Sequence, residues 1–306
     1  GSEMCIRDST TGDIYKKQKV NKSCNVVVIG GGTAGLEAAC TAAEVGCTTF
    51  LIEKKPYLGG LAAEISKIPD KKRLADFPNY LIHRAEGLKN LFVFTDTDAS
   101  VHFVKNLKPN IIVNATGSQP LLPPISGLHE NLGKEGSKVY SILDMINNLD
   151  QYPQDMTGKK VAVIGGGAVG LDVVEFFAPR GAKVSIVEML PTIGNGIDPV
   201  SKVGTFSLME QYGVRQMTKT ALKEVRPDSF YVETPDGPEV LDFDYGFVCL
   251  GMKSASPVLT DIQEAFASDN SVEIVNIGDS VRARRIIEGT DEGRNILNTL
   301  EKRGYL

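Results

Sequence analysis

The strongest constraint on the fold is a short text that the chain spells twice. Asn25-Val-Val-Val-Ile29 is a β-branched run that breaks at Gly30-Gly31-Gly32. Thr33 to Val45 then favours helix, and Gly46 sits where that helix would end. Cys47 to Ile52 reads as the next strand and closes on Glu53. The order recurs as Lys160-Val-Ala-Val-Ile164, Gly165-Gly-Gly167, Ala168 to Arg180, Gly181, and Val184-Ser-Ile-Val187 closing on Glu188. Gly30 and Gly165, Gly32 and Gly167, Gly35 and Gly170, Gly46 and Gly181, and Glu53 and Glu188 all keep one offset of 135 residues. Each copy is a strand, a glycine turn, a helix and a second strand, the unit of a parallel sheet. One register held across special residues argues for two copies of a single nucleotide-binding unit.

The spacing carries a chemical expectation. In Gly30-x-Gly32-x-x-Gly35 the first glycine permits the tight turn and the second lets backbone approach a pyrophosphate. The third brings helix and strand close. Thr33 and Ala34 in the first copy, and Ala168 and Val169 in the second, open helices whose N–H groups and dipole would hold phosphate. Glu53, with Lys54 after it, stands where a carboxylate would grip ribose hydroxyls; Lys54 reads as an exposed charge that could touch phosphate. Glu188 would accept both ribose hydroxyls and repel a 2′-phosphate, and Met189-Leu190-Pro191 offers no arginine to receive one. The second site, Gly165-x-Gly167-x-x-Gly170, is therefore expected to prefer NADH to NADPH. Two dinucleotide sites invite a redox pair, because hydride transfer from nicotinamide to flavin needs stacking more than acid–base groups. No catalytic residue is assigned.

The rest of the chain frames these copies. Its 306 residues exceed a usual single core, so two domains are expected. A net charge of −5 and a pI near 5.4 argue against a nucleic-acid footprint. No apolar run of ~18 residues marks a membrane span. Cys5, Cys24, Cys40, Cys47 and Cys249 show no short metal spacing, and their odd number favours a reducing cytoplasm. Cys40 and Cys47 read as small buried residues rather than a redox pair. His83, His102 and His129 share no ligand spacing, so no metal site is expected.

Asn110 to Gly117 reads as a strand closed by Ala115, Thr116 and Gly117, matched by Phe247 to Gly251. Gln119-Pro-Leu-Leu-Pro-Pro124 cannot continue a central strand and reads as a crossing. Val272 to Ile277 is a further strand ending in Gly278-Asp279, and a charged helix is expected over Ile286 to Lys302. Leu91 to Val104 and Tyr231 to Leu241 read as antiparallel pieces. Gly1 to Thr10 reads as a leader, within a leader and linker over 1–23. The expected fold is α/β, with two Rossmann-like three-layer domains built on parallel sheets. The domain of 121–252 is inserted into one made of 24–120 and 253–306. Arg282-Ala-Arg-Arg285 reads as a solvated turn, Tyr57 as packing, and Pro179 as the end of its helix.

The nested order of fingerprint, Thr-Gly strand, second fingerprint and Gly-Asp strand resembles the two-dinucleotide-binding-domain flavoproteins. The resemblance implies that Gly30, Gly32, Gly35 and Glu53 hold the adenosine diphosphate half of FAD. It also implies that Asp279 holds the ribityl chain, that Ala115 to Gly117 line the crossing, and that the second copy binds NADH. Leu58-Gly59-Gly60-Leu61, Ile68-Pro69 and Pro109 to Pro124 are similar to the C-terminal half of NADH:flavin oxidoreductases. That group includes 2-enoate reductases, 2,4-dienoyl-CoA reductases and trimethylamine dehydrogenase. Leu61 stands where the group usually carries glutamine. The barrel with FMN and the 4Fe–4S cysteine cluster of that group do not fit in this chain, and the paired cysteines of disulfide reductases are not in it. The resemblance implies an NADH-to-FAD electron-entry module acting with an FMN/iron–sulfur barrel domain or a soluble electron carrier, with a homo-oligomer possible. The alternatives are a module that holds ADP where FAD would sit, and a stand-alone NADH-dependent reductase of a soluble electron carrier.

Overall fold

A computed structural model describes residues 18–306; the expected leader Gly1–Thr10 lies outside the described residues. Two compact units emerge. One reaches to Gln119 and resumes over Lys253–Leu306, and the other is Pro120–Met252.

The first unit is built on a five-stranded sheet. Its order is β15 (Glu273–Asn276), β4 (Ile111–Asn114), β1 (Asn25–Ile29), β2 (Thr48–Ile52) and β3 (Leu91–Phe94), and every pairing is parallel. Val26, Val27 and Val28 are fully buried on both faces of the sheet, which is why β1 reads as an unbroken apolar run rather than an alternation. Helix α1 (Thr33–Glu44) follows β1 and buries Leu36, Ala38, Ala39, Cys40, Ala42 and Ala43 against it. Alanine gives that helix good propensity and lets it lie close to the strands. The unit continues with α2 (Gly60–Ile65), α3 (Asp76–Glu86) and α4 (Val101–Asn106). After the second unit come α9 (Leu259–Phe266), α10 (Ile286–Arg294) and α11 (Ile296–Lys302).

A buried ion-pair network ties α1 to α3 and α10. Glu37 is 1% exposed and accepts from Arg84 Nη1 at 3.0 and 2.9 Å, from Thr41 Oγ1 at 3.1 Å and from Arg294 Nε at 3.2 Å. Arg84 also donates from Nε to Glu44 at 2.6 Å. With its lone pairs taken, the Glu37 carboxylate can sit in the interior.

The second unit repeats the plan. Its sheet runs β6 (Val139–Tyr140), β13 (Tyr245–Val248), β7 (Lys160–Ile164), β8 (Lys183–Val187) and β9 (Arg215–Met217), again all parallel. Helices α5 (Leu128–Asn131), α6 (Ile142–Asn147), α7 (Ala168–Phe177) and α8 (Pro199–Gln211) belong to this unit. A separate antiparallel sheet, β10 (Ala221–Val225), β11 (Ser229–Thr234) and β12 (Gly237–Asp242), fills the crossover between β9 and β13. Phe230, Val232, Leu241 and Phe243 bury its inner face. The chain passes out of and back into the first unit through β5 (Ser118–Pro120) and β14 (Met252–Ser254).

Two sequence expectations are corrected. Leu91–Val104 is not an antiparallel piece: Leu91–Phe94 is the parallel edge strand β3, and Val101–Asn106 is helical. The Ser100 side chain accepts the Phe103 N–H at 3.2 Å and so caps that helix. The charged helix expected over Ile286–Lys302 is two helices, α10 and α11, separated at Asn295. The Tyr231–Leu241 expectation holds as β11 and β12. Pro179 ends α7, whose last turn, Ala178–Arg180, is 3₁₀ and is closed by left-handed Gly181. Among the described residues, no helix is long and apolar enough to cross a membrane.

Candidate dinucleotide sites

The two glycine turns are built to one template. Gly30 has φ of +107° and Gly165 +106°, a conformation that favours glycine. A Cβ on Gly30 would lie 2.2 Å from the Ala115 carbonyl oxygen, and one on Gly165 would lie 2.1 Å from that of Cys249. A Cβ on Gly35 would meet the Gly30 carbonyl oxygen at 1.9 Å, and one on Gly170 would meet that of Gly165 at the same distance. The first and third glycines of each fingerprint are therefore required by the chain's own backbone.

The second glycine is different. A Cβ on Gly32 would meet nothing closer than the Gly60 Cα at 3.9 Å, and one on Gly167 would meet nothing within 4 Å. Gly32 and Gly167 are also the N-caps of α1 and α7, and neither helix has a side-chain cap. The first N–H groups of both helices thus lack a side-chain acceptor and have free space at the N-cap, with the positive end of the helix dipole behind them. That is the cradle an anionic pyrophosphate needs.

Both acidic residues perform a task the spacing did not disclose. Glu53 Oε2 accepts the Gly31 N–H at 2.6 Å, and its Oε1 accepts the Lys55 N–H at 2.7 Å. Glu188 does the same with Gly166 at 2.7 Å and Leu190 at 2.8 Å. Each carboxylate is clamped by backbone across its glycine turn while retaining lone pairs for further donors. The middle glycine is needed for this clamp: a Cβ on Gly31 would come within 3.1 Å of Glu53 Oε2 and 2.5 Å of Leu58 Cδ2. Gly31 and Gly166 went unmarked in the fingerprint, although both keep the common offset. The register runs further than expected, because Pro56 and Pro191, and Gly59 and Gly194, share the same offset. Gly59 donates to the Gly31 carbonyl at 2.8 Å and Gly194 to that of Gly166 at 2.7 Å.

Other expected residues gather around the first turn. A Cβ on Gly60 would meet the Gly32 Cα at 2.8 Å, and one on Gly278 would meet the Ala34 Cβ at 2.8 Å. The Gly278 N–H is held by Glu292 at 2.6 Å. Asp279 accepts from Ser118 Oγ at 3.0 Å and from the Arg284 N–H at 3.0 Å, so its carboxylate is fixed beside the Gly117 turn. Thr116 Oγ1 donates to the Ala255 carbonyl at 2.6 Å. Gly117 and Gly251 adopt φ of +77° and +97°, with open space around a Cβ at either. Thr33 and Ala34, like Ala168 and Val169, form the first turns of their helices. Ser118 and Glu292 were not expected; no spacing marks them, because each is brought in by tertiary packing.

One expected residue, Lys54, stands apart. Lys54 projects into solvent, 83% exposed and 4.0 Å from Asp98. Leu61 is half-buried on α2. The charge that does matter locally is Glu64, which accepts from Lys55 at 2.7 Å, from Lys67 at 2.5 Å and from the Tyr57 hydroxyl. Burial works to raise the Glu64 carboxyl, but these hydrogen bonds outweigh it and hold the group at about 2. Of the Arg282-Ala-Arg-Arg285 turn, Arg284 pairs with Glu292 and Arg285 with Glu288. Cys40 and Cys47 are both buried, and the thiol hydrogen-bonded to Cys47 is that of Cys24.

Comparison with known proteins accords with this geometry. The sequence matches the family described as pyridine nucleotide-disulphide oxidoreductase over residues 2–76 and 25–276. It is 32% identical over 272 residues to an NADH oxidase of Thermoanaerobacter brockii, covering 88% of this chain and 40% of that protein. It is 30% identical over 300 residues to a bilirubin reductase of Mediterraneibacter gnavus, covering 97% of this chain and 44% of that one. The chain thus spans less than half the length of these relatives. Histamine dehydrogenase from Rhizobium sp. 4-9 shares the fold, with a TM-score of 0.78 at 20% identity over 93% of this chain and 42% of that one. The fingerprints, the nested parallel sheets and these matches together make the chain a member of the pyridine nucleotide-disulphide oxidoreductases, flavin-dependent NAD(P)H oxidoreductases whose cofactors are FAD and NAD(H), and give it the character of the FAD/NAD module of 2-enoate reductase-like proteins.

Proposed function

We propose that the chain is an electron-entry module that takes hydride from NADH onto FAD and passes electrons to a partner redox centre. One observation carries the reading: each of two turns with matching backbone contacts keeps a glycine that no protein atom requires, at a helix N-terminus without a side-chain cap. A glycine that the fold can spare is explained by a ligand that the fold must admit.

In this reading the first turn, with Gly30, Gly32, Gly35, Thr33 and Ala34, receives the pyrophosphate of FAD. Glu53 orients the ribose, and Asp279, held by Ser118 and Arg284, receives the ribityl hydroxyls. Ala115, Thr116, Gly117, Gly60, Leu61 and Gly278 surround that cofactor. The second turn, with Gly165, Gly167, Gly170, Ala168 and Val169, receives the pyrophosphate of NADH, with Glu188 on the adenosine ribose and Gly251 beside the cleft. Domain boundaries follow: 24–120 with 253–306 for FAD, and 121–252 for NAD(H). Bound flavin supplies the hydride acceptor and lets a two-electron donor feed one-electron centres. The chain's residues bind and orient; none is assigned a proton transfer. The relatives are more than twice as long as the matched region, which leaves room for a partner centre elsewhere in such a protein.

Absorption of the purified protein before and after anaerobic NADH tests the proposal. A yellow protein bleached by NADH is the expected result. A colourless protein that releases ADP on denaturation would overturn it in favour of a nucleotide-holding module.

A further inference from the structure

The duplication continues past the third strand of each unit, into a turn that lies against the acidic residue. The Glu53 N–H donates to the Phe94 carbonyl at 2.8 Å, and the Glu188 N–H to that of Met217 at 2.8 Å. The chain then turns through Thr95-Asp96-Thr97 in one unit and Thr218-Lys219-Thr220 in the other. Asp96 donates its N–H to the Lys55 carbonyl at 2.9 Å and Thr97 to that of Glu53 at 3.0 Å. Lys219 donates to the Leu190 carbonyl at 3.1 Å and Thr220 to that of Glu188 at 3.0 Å. Both threonine hydroxyls return to the first residue of the turn, Thr97 at 2.8 Å and Thr220 at 3.0 Å. The two turns are one structure with opposite charges at the centre.

That central position is strained. Asp96 and Lys219 have φ of 50° and 53°, in the left-handed region where aspartate and asparagine are tolerated better than lysine. Lys219 is exposed, and no carboxylate pairs with its ammonium among the described residues. A lysine in an unfavourable conformation, without an ion pair, on a turn bonded to the Glu188 and Leu190 carbonyls, points to a ligand charge.

We propose that Lys219 is a specificity-determining residue of the nicotinamide nucleotide site. Its turn is bonded through backbone to the Glu188 and Leu190 carbonyls, so the Lys219 ammonium adds a positive charge on the Glu188 side of the site and lowers the cost of a phosphate on the 2′ oxygen of the adenosine ribose. Glu188 keeps NADH preferred, and Lys219 keeps NADPH usable. The inference rests on the reading of the second unit as the NAD(H) site.

Calorimetric titration of the whole protein, with FAD in excess to fill the first site, tests this with two probes, 5′-AMP and 2′,5′-ADP. Lys219→Asp and Lys219→Asn both suit a left-handed turn, and thermal melting checks that they fold. Lys219→Asp is expected to weaken 2′,5′-ADP about ten-fold, and Lys219→Asn about five-fold, with AMP moving less than two-fold. The difference shrinks in high salt, and kcat/KM with NADPH falls in parallel. Equal shifts for both probes, or none for either, overturn the proposal. A wild-type protein that binds neither probe nor NADH overturns the reading of the site, and the proposal with it.

Discussion

Glu188 reaches back across its own glycine turn and accepts the Gly166 N–H at 2.7 Å, so the acidic residue at the strand end is also the clasp of the loop. Substituting Glu188→Gln replaces one acceptor oxygen with a donor and removes the charge. Hydrogen bonds to charged groups contribute about 1.5–3 kcal/mol. The NADH dissociation constant is expected to rise about ten-fold or more, while bound flavin stays at the wild-type level. Fluorescence titration with NADH, set beside flavin content, makes the check; an unchanged constant would remove Glu188 from the ribose role.

The glycines of one fingerprint should separate into two classes. Gly35→Ala forces a methyl to within 1.9 Å of a backbone oxygen and is expected to cost ~3 kcal/mol or more in stability. Gly32→Ala meets only the Gly60 Cα at 3.9 Å and should cost less than ~1 kcal/mol, the scale of an N-cap change. Yet Gly32→Ala should lose FAD and Gly167→Ala should lose NADH affinity. Urea denaturation of the apoprotein and cofactor retention on desalting measure the two effects separately.

Acid should unfold the first unit partly through Glu64. Its folded carboxyl lies at about 2 against an ordinary 4.5, so it stabilises the fold above the higher value. That stabilisation is lost as pH falls from about 4.5 toward about 2, an integrated effect of order 3 kcal/mol. Glu64→Gln is expected to be less stable near neutrality and to show a flatter loss between about pH 4.5 and about 2, the window set by the shift. Melting curves across that range decide it; parallel curves for the two proteins would contradict the assignment.

Arg84 should be the most costly single charge to remove from the first unit. Its side chain is 15% exposed and serves Glu37, itself 2% exposed at the side chain, together with Glu44. Arg84→Ala leaves those carboxylates short of a partner in the interior, for an expected loss of about 3 kcal/mol. Pairing it with Glu37→Gln should recover part of that loss, which a double-mutant cycle in urea would read.

The features legible in the sequence were those set by local backbone. Gly30, Gly32, Gly35 and their partners 135 residues on announced two strand–turn–helix units because tight turns demand particular residues at fixed spacing. The antiparallel β11–β12 pair was visible as strand-forming text without helical period. Leu91–Val104 misled because Phe and Val favour strands, whereas Ser100 supplied a helix cap that outweighed them for the last third. The clamp from Glu53 to Gly31, the Ser118–Asp279 bond and the Glu292 hold on Gly278 were invisible, since each joins residues that only folding brings together. Lys219 is a different case: it lies far beyond Glu188 in sequence, and only the pairing of β9 with β8 brings its turn back to the end of that strand.

The strand Glu273–Asn276 pairs with Ile111–Asn114, and Gly293 lies so close to the fingerprint helix that a Cβ there would come within 2.6 Å of the Ala34 carbonyl oxygen. On the ribosome, residues 18–119 must therefore wait, missing an edge strand and an opposing helix, until synthesis has passed Gly293. Pro120–Met252 has all of its sheet by then, so the inserted unit can mature ahead of the unit that encloses it. During that interval the exposed flank of β4 is where a chaperone, or an unwanted neighbour, would find its opening.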